Sequence, residues 1–280
     1  MTNLKKASFI FFLALFCHPC EANFTVLGNA KICEGELTRL GSSGLIEKAK
    51  GGSALDEYCV GFYHEWDSNG FSKNMVDAAN WYNRSASHNY PPAATSLGRL
   101  YGTGDGVQQS YKLAEKWFKI AAENGDPEGQ GLLAELYDGF HDGVAKNDFE
   151  AAKWHHKALA GGYFLSAESL GLQYLNGNGV PKDVVAGAAL MMYEDLATST
   201  LYFNNHATSD FARKKLIRSQ VTLAETLLKR IEHIGPEQAL FEYFKKYKSR
   251  YCSGFEINYK GSRVFYAYKD LCLKPLQNGN

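Results

Sequence analysis

The apolar positions of this chain recur with a long, nearly constant period. Phe71, Val107, Val144 and Val180 stand 36, 37 and 36 residues apart, each at the end of a glycine-containing loop. Ten residues after each comes a bulky apolar side chain: Trp81, Trp117, Trp154 and Leu190. Upstream of each lies a paired apolar signal, Tyr58/Phe62, Leu97/Tyr101, Leu133/Tyr137 and Leu170/Tyr174. In the unit that starts near Pro92, the residues Ala93, Leu97, Leu100 and Tyr101 fall at i, i+4, i+7 and i+8, one face of a helix. Gly102, Gly104 and Gly106 then interrupt it, because glycine weakens a helix and permits positive φ in a tight loop. Val107 returns to the core, and Leu113, Ala114, Trp117, Ile120 and Ala121 predict a second helix that Asn124-Gly125 stops. One unit is helix, glycine loop, helix, turn. A unit that cannot bury its apolar face alone must stack on its neighbours, so the period predicts a solenoid.

Small residues in these helices have a packing reason. Gly98 and Gly171 follow the leucine of their first helices, and a missing side chain there lets the two helices of a hairpin approach closely. Mid-helix glycine costs about 1 kcal/mol against alanine, which close packing must offset. The tryptophan of each second helix is predicted to fill the volume between neighbouring units.

The flanks read differently. Residues 23–52 form a short N-terminal cap, and residues 53–197 hold four helix-hairpin repeats. Residues 198–250 supply capping helices. One spans 210–234 and ends at Gly235-Pro236; the other spans Glu237 to Lys248, with Leu240, Phe241, Phe244 and Tyr247 as one apolar stripe. Such units close the end of a solenoid. In the tail, 251–280, Phe255, Ile257 and Tyr259, then Val264, Tyr266 and Tyr268, alternate around Lys260-Gly261-Ser262, a hairpin pattern. A two-stranded hairpin is marginal alone in water, so it has to dock on the helices or on a partner.

Residues 1–22 carry the three-part pattern of a secretory signal: Lys5 and Lys6, an apolar run from Phe9 to Phe16, and a plausible cleavage site after Ala22. The expected location of the mature chain is periplasmic or secreted. No integral membrane insertion is expected, since the apolar run is short of a bilayer span and no later stretch approaches one. Export gives the cysteines a meaning. Removal of Cys17 and Cys20 leaves Cys33, Cys59, Cys252 and Cys272, an even number that favours disulfides and allows three connectivities. The sequence-local choice is Cys33–Cys59 with Cys252–Cys272, each closing an end of the chain on itself.

Net charge is zero, but its distribution is uneven. Residues 23–210 hold 14 Lys/Arg against 23 Asp/Glu, while residues 211–280 hold 14 against 6. An acidic repeat region and a basic C-terminal region suit a basic partner for the former. Nucleic acid is a poor candidate, because the basic residues form no run interleaved with stacking aromatics. No cofactor and no metal site is expected. No catalytic grouping of the H-E-x-x-H, G-x-S-x-G or S-x-x-K kind occurs. His155 and His156 are adjacent on a helix and point to different sides, so at least one is expected on the surface.

Leu97-Gly98-Arg99-Leu100-Tyr101, Gly104-x-Gly106-Val107, Ala114-x-x-Trp117 and Ala121-Ala122-x-x-Gly125, echoed by Leu170-Gly171-x-x-Tyr174 and Gly177-x-Gly179-Val180, resemble the Sel-one-like repeats. These are a branch of the tetratricopeptide-like superfamily. The third unit departs with Ala134 in the glycine place, and the first with Cys59 there. The resemblance implies an all-α fold, an α/α solenoid wound as a right-handed superhelix of helix hairpins, to which the sequence adds a small C-terminal β-hairpin. It also implies a partner groove lined by first-helix positions: Asp56, Val60, Tyr63, Thr95, Arg99, Glu135, Asp138, Glu168, Leu172 and Leu175. The implied work is non-catalytic: an exported scaffold or adaptor of the bacterial envelope that binds another protein through a basic segment. One form would be an immunity protein that neutralises a secreted toxin. The alternative is an envelope enzyme of the cysteine-rich, β-lactamase or penicillin-binding type, whose relatives carry paired cysteines in each repeat.

Overall fold

The structure is a computed structural model, and it describes residues 24–139, 141–199, 214, 216–247, 255–259 and 262–266. Within these the chain is built of eleven helices: α1 Phe24–Lys50, α2 Ala54–Trp66, α3 Met75–Ser87, α4 Pro91–Thr103, α5 Tyr111–Glu123, α6 Pro127–Asp138, α7 Asp148–Ala160, α8 Ser166–Asn176, α9 Val184–Ser199, α10 Arg218–Ile234 and α11 Pro236–Tyr247. Two short strands follow, β1 Phe255–Tyr259 and β2 Ser262–Tyr266, paired antiparallel with Phe255 opposite Tyr266. The predicted Cys252–Cys272 bridge and the segment 1–22 lie outside the described residues. The chain forms two compact units, residues 1–90 and 91–280.

In the first unit α2 and α3 make a hairpin and α1 packs on α2. Helix α1 is kinked at Gly41, whose φ of 69° lies in the left-handed region that glycine enters freely. The Cys33–Cys59 disulfide joins α1 to α2, with both cysteines buried. Arg84 and His88 of the α3 end converge on the fully buried Glu57: Arg84 Nε donates to Oε1 at 3.0 Å, and His88 Nδ1 lies 2.7 Å from Oε2. Ser85 Oγ donates to the Ala54 carbonyl at 2.6 Å, at the same end of the hairpin.

In the second unit each helix packs on the next, from α4 to α11. The loops between first and second helices share one device. The residue that caps each second helix is Asn74, Ser110, Asn147 or Asp183, and its side chain accepts from the first-turn amides, as Asp183 Oδ1 does from Val185 and Ala186 at 3.1 Å. The backbone N–H of the same residue donates back to the first helix, to His64, Tyr101, Tyr137 and Tyr174 in turn, at 2.8–2.9 Å. Gly179 shows why these loops need glycine: its φ is 66°, and an added Cβ would stand 2.0 Å from the Asp148 carbonyl oxygen.

The helix contact itself corrects the sequence reading of the tryptophans. Trp81 and Trp117 are half-buried, each with a cation over its ring, Arg84 at 4.7 Å and Lys116 at 5.4 Å. The buried rings are those of the next residues, Tyr82 and Phe118. One residue is a 100° turn of the helix, and it aims these rings at the glycine of the first helix. A Cβ on Gly61 would lie 2.8 Å from Tyr82, and one on Gly98 would lie 2.6 Å from Phe118. Gly171 and Met191 repeat the pairing at 2.7 Å. The glycine place of the first repeat is thus Gly61 rather than Cys59. In the third repeat the same two positions hold Ala134 and His155, both fully buried, and here Trp154 is also buried beside Leu133 and Ala134.

The C-terminal helices cap the stack. Ala224, Leu227 and Ile231 of α10 and Ala239, Leu240, Tyr243 and Phe244 of α11 join the core of the fourth repeat. The buried stripe of α11 therefore includes Tyr243, whereas Phe241 is half-buried. Helix α10 starts at Arg218 rather than at 210.

Candidate functional site

A first helix turns one face to its second helix through the glycine position, and the following residue is rotated 100° away from that contact. In the second unit these following residues are Arg99 of α4, Glu135 of α6 and Leu172 of α8. Arg99 and Glu135 are half-buried, and Leu172 is exposed. Glu168, one turn before Leu172, is half-buried as well. Asp138 closes the set one turn after Glu135, with 28% of its side chain exposed.

The other predicted groove residues lie inside. Asp56, Val60 and Tyr63 are 1–3% exposed in the first unit. With Gly61 in the glycine place, Val60 stands where Leu97, Leu133 and Leu170 stand, which is the core face. Tyr63 stacks on Phe71 at 5.3 Å, and burial, with the charge of Glu34 adding, pushes its hydroxyl up to about 12. Thr95 is buried and donates its hydroxyl to Asp126 Oδ2 at 2.6 Å. That carboxylate caps α6 by accepting the Gly129 N–H at 2.8 Å, and burial raises its pKa against these two bonds. Leu175 belongs to the core of the fourth repeat. None of these five can line a groove without repacking.

Asp138 is the end of a network that the sequence did not announce. Its Oδ2 accepts from His155 Nε2 at 2.9 Å, and its Oδ1 accepts from Gln173 Nε2 at 2.6 Å. The other ring nitrogen of His155 lies 3.1 Å from Ser166 Oγ. So α6, α7 and α8 are tied through three side chains that are 0%, 0% and 4% exposed: His155, Ser166 and Gln173. The order Ser–His–Asp is that of a hydrolytic triad, but Ser166 Oγ is sealed from solvent, and a nucleophile must reach its substrate. The arrangement can orient a carboxylate; it cannot attack a bound molecule. The available signal was spacing, since His155 falls 37 residues after Phe118 at a core position. The sequence predicts at least one of the pair His155 and His156 on the surface; instead His155 is buried, and His156 is half-buried against Tyr174, whose hydroxyl is 3.0 Å from Nε2. Burial, with a further contribution from His155, lowers its imidazole to about 3.

A cleft of about 490 Å³ opens between α5, α6 and α7 over Leu133, Tyr137 and Trp154. Its charges answer one another: Lys153 meets Glu150 at 3.0 Å, Lys119 meets Glu123 at 3.9 Å, and the Tyr137 hydroxyl donates to Glu115 at 2.9 Å. Among the described residues no group of three His, Cys, Asp or Glu is placed to hold a metal ion, and no helix is long and apolar enough to cross a membrane.

Comparison with known proteins agrees with the repeat geometry. The Sel1 repeat matches residues 57–90, 91–126, 127–163 and 165–194. Among solved structures the chain is similar to a protective antigen of uropathogenic Escherichia coli strains that displays an SLR fold. The TM-score is 0.63 at 28% identity, over 74% of this chain and 43% of that one. It therefore spans less than half the length of that protein. A Sel1 repeat protein from Oxalobacter formigenes shares the fold at a TM-score of 0.51 and 20% identity, covering 68% of this chain and 83% of that one. With four consecutive Sel1 repeats between residues 57 and 194, the chain belongs to the Sel1-repeat proteins.

Proposed function

We propose that this chain is an exported, non-catalytic scaffold that holds a basic, amphipathic segment of another protein on the first-helix face of repeats two to four. Sel1 repeats serve protein–protein interaction. The observation that carries the reading is the outward row itself: Glu135, Asp138 and Glu168 supply carboxylates, Leu172 supplies exposed apolar surface, and Arg99 is the one cation among them. An acidic surface with an apolar spot suits a segment that alternates basic and apolar residues. Two features support a location outside the cytoplasm: the signal-like residues 1–22 and the Cys33–Cys59 disulfide, a bond that persists in oxidising compartments. The description of a similar chain as a protective antigen fits the same location. A secreted toxin with a basic surface would be one partner of this chemistry, which is the immunity form of the proposal. The enzyme alternative has less behind it. Residues 53–197 contain a single cysteine, Cys59, and it is bonded to Cys33 instead of to a partner in its own repeat.

The test is charge reversal. Arg99→Glu, Glu135→Lys and Glu168→Lys together should abolish capture of the partner by the purified chain from an envelope extract, with thermal unfolding near that of the parent. Capture that survives the triple change would move the binding surface elsewhere.

A further inference from the structure

Asp138 differs from the other acids of the first-helix row in how it is held. Both of its oxygens accept from buried donors on neighbouring helices, His155 Nε2 at 2.9 Å and Gln173 Nε2 at 2.6 Å. His155 is fixed in turn by Ser166 at 3.1 Å, and all three holders are nine-tenths or more buried. The carboxylate is therefore locked at one position and one angle, while 28% of its side chain still meets solvent. A carboxylate has about four lone-pair directions, and two are in use, so each oxygen keeps one for an outside donor. No Lys or Arg of the described residues is bonded to it.

From this arrangement we propose that Asp138 is the fixed carboxylate that receives an arginine side chain of the partner segment, with His155, Ser166 and Gln173 as its positioning residues. The inference rests on the first-helix reading of the preceding section and names the partner side chain within it. Arginine fits better than lysine because a planar guanidinium presents two parallel N–H donors to two parallel acceptors. Pre-orientation matters because a carboxylate free to rotate would lose side-chain entropy on binding, and a locked one does not. Leu172, beside Gln173 in sequence and exposed, offers apolar surface for the aliphatic stem of the same side chain. Glu135, one helical turn before Asp138, adds negative potential where the cation arrives.

The probe is a fluorescein-labelled heptapeptide of alternating leucine and arginine, set against a counterpart in which citrulline replaces arginine. Citrulline keeps the shape and removes the charge. Fluorescence anisotropy should show the full chain binding the arginine peptide about tenfold tighter than the citrulline peptide. Asp138→Asn should bring the two affinities within about twofold of each other. His155→Leu should erode the discrimination, and His155→Gln, which restores a donor toward Asp138, should recover it; a merely structural histidine would not be rescued in this readout. In the unmutated chain, the side-chain carboxyl carbon of Asp138 should shift in NMR on addition of the arginine peptide and not of the citrulline peptide. That measurement stands even if the variants fold poorly, and an unmoved signal at saturation overturns the proposal. If Glu135→Gln with Glu168→Gln abolishes binding while Asp138→Asn keeps the full discrimination, the first-helix face stands and the role of Asp138 falls. If neither peptide binds the unmutated chain, both fall.

Discussion

The hydroxyl of Tyr243 donates to Asp183, with its oxygen 3.2 Å from Oδ1 and 3.3 Å from Oδ2, across sixty residues of sequence. Asp183 is already the N-cap of α9 and is 4% exposed, so its carboxylate satisfies two helix amides and the C-terminal cap at once. A buried carboxylate with three donors is where the fourth repeat and its cap are joined. Tyr243→Phe removes one donor and should lower stability by about 1–1.5 kcal/mol. Asp183→Ala strips the cap as well and should cost more. Urea unfolding followed by far-UV circular dichroism checks both, and equal losses would show that the phenol bond contributes most of the effect.

The register of the second helices gives a paired prediction. Phe118→Ala should cost about 3–5 kcal/mol, the range for emptying a buried aromatic. Trp117→Ala should cost about 1–2 kcal/mol, because the ring is half-buried and covers less apolar area. Gly98→Ala should destabilise by about 1–3 kcal/mol, since a Cβ there meets the Phe118 ring at 2.6 Å. Denaturation midpoints that rank Trp117 above Phe118 would reverse the register.

The Cys33–Cys59 bond closes a loop with a sequence separation of 26. In the chain-entropy account such a closure contributes about 3 kcal/mol. Cys33→Ser should lower the thermal midpoint of the first unit, and reductant should then have no further effect on that transition. A midpoint unchanged by the substitution would leave the attachment of α1 to its apolar contacts alone.

His156 predicts a pH dependence of defined sign. Its imidazole is lowered from 6.5 to about 3 in the folded chain, so the fold holds it neutral where the unfolded chain would protonate it. Its contribution to stability is complete above pH 6.5 and is lost as pH falls from there toward 3. Urea midpoints measured across that window should fall less steeply for His156→Gln than for the parent. Parallel profiles would mean that the ring is reached by solvent in the native state.

The period was legible because four units repeat it; the register within a unit was not. Trp81 and Trp117 are larger than their neighbours and recur at the repeat spacing, so pattern alone selects them, yet a helix places the next residue against the glycine gap. That gap is a property of two helices at once, and no single-helix pattern encodes it. The same limit moved the first repeat. Tyr58 looks like the leading apolar residue, but Gly61 fixes Val60 as the equivalent of Leu97, which turns Asp56, Val60 and Tyr63 inward. Arg99, Glu135 and Leu172 come off the core face, half-buried or exposed, because their repeats carry the glycine or its alanine substitute in plain view. The His155 network escaped notice since its members come from α6, α7 and α8, and polar residues at core positions look like surface residues until their partners are known.

Each interhelical loop begins and ends on one short bond, from the amide of Asn74, Ser110, Asn147 or Asp183 to a carbonyl of the helix before it. The spanned distance in sequence is ten residues in the first and third repeats and nine in the second and fourth, yet the bond length hardly changes. The clasp therefore absorbs a difference of one residue in loop length. Exposed positions within these four segments can drift, or be rewritten by an engineer, so long as the glycine at Gly179 and the buried Phe71, Val144 and Val180 are kept.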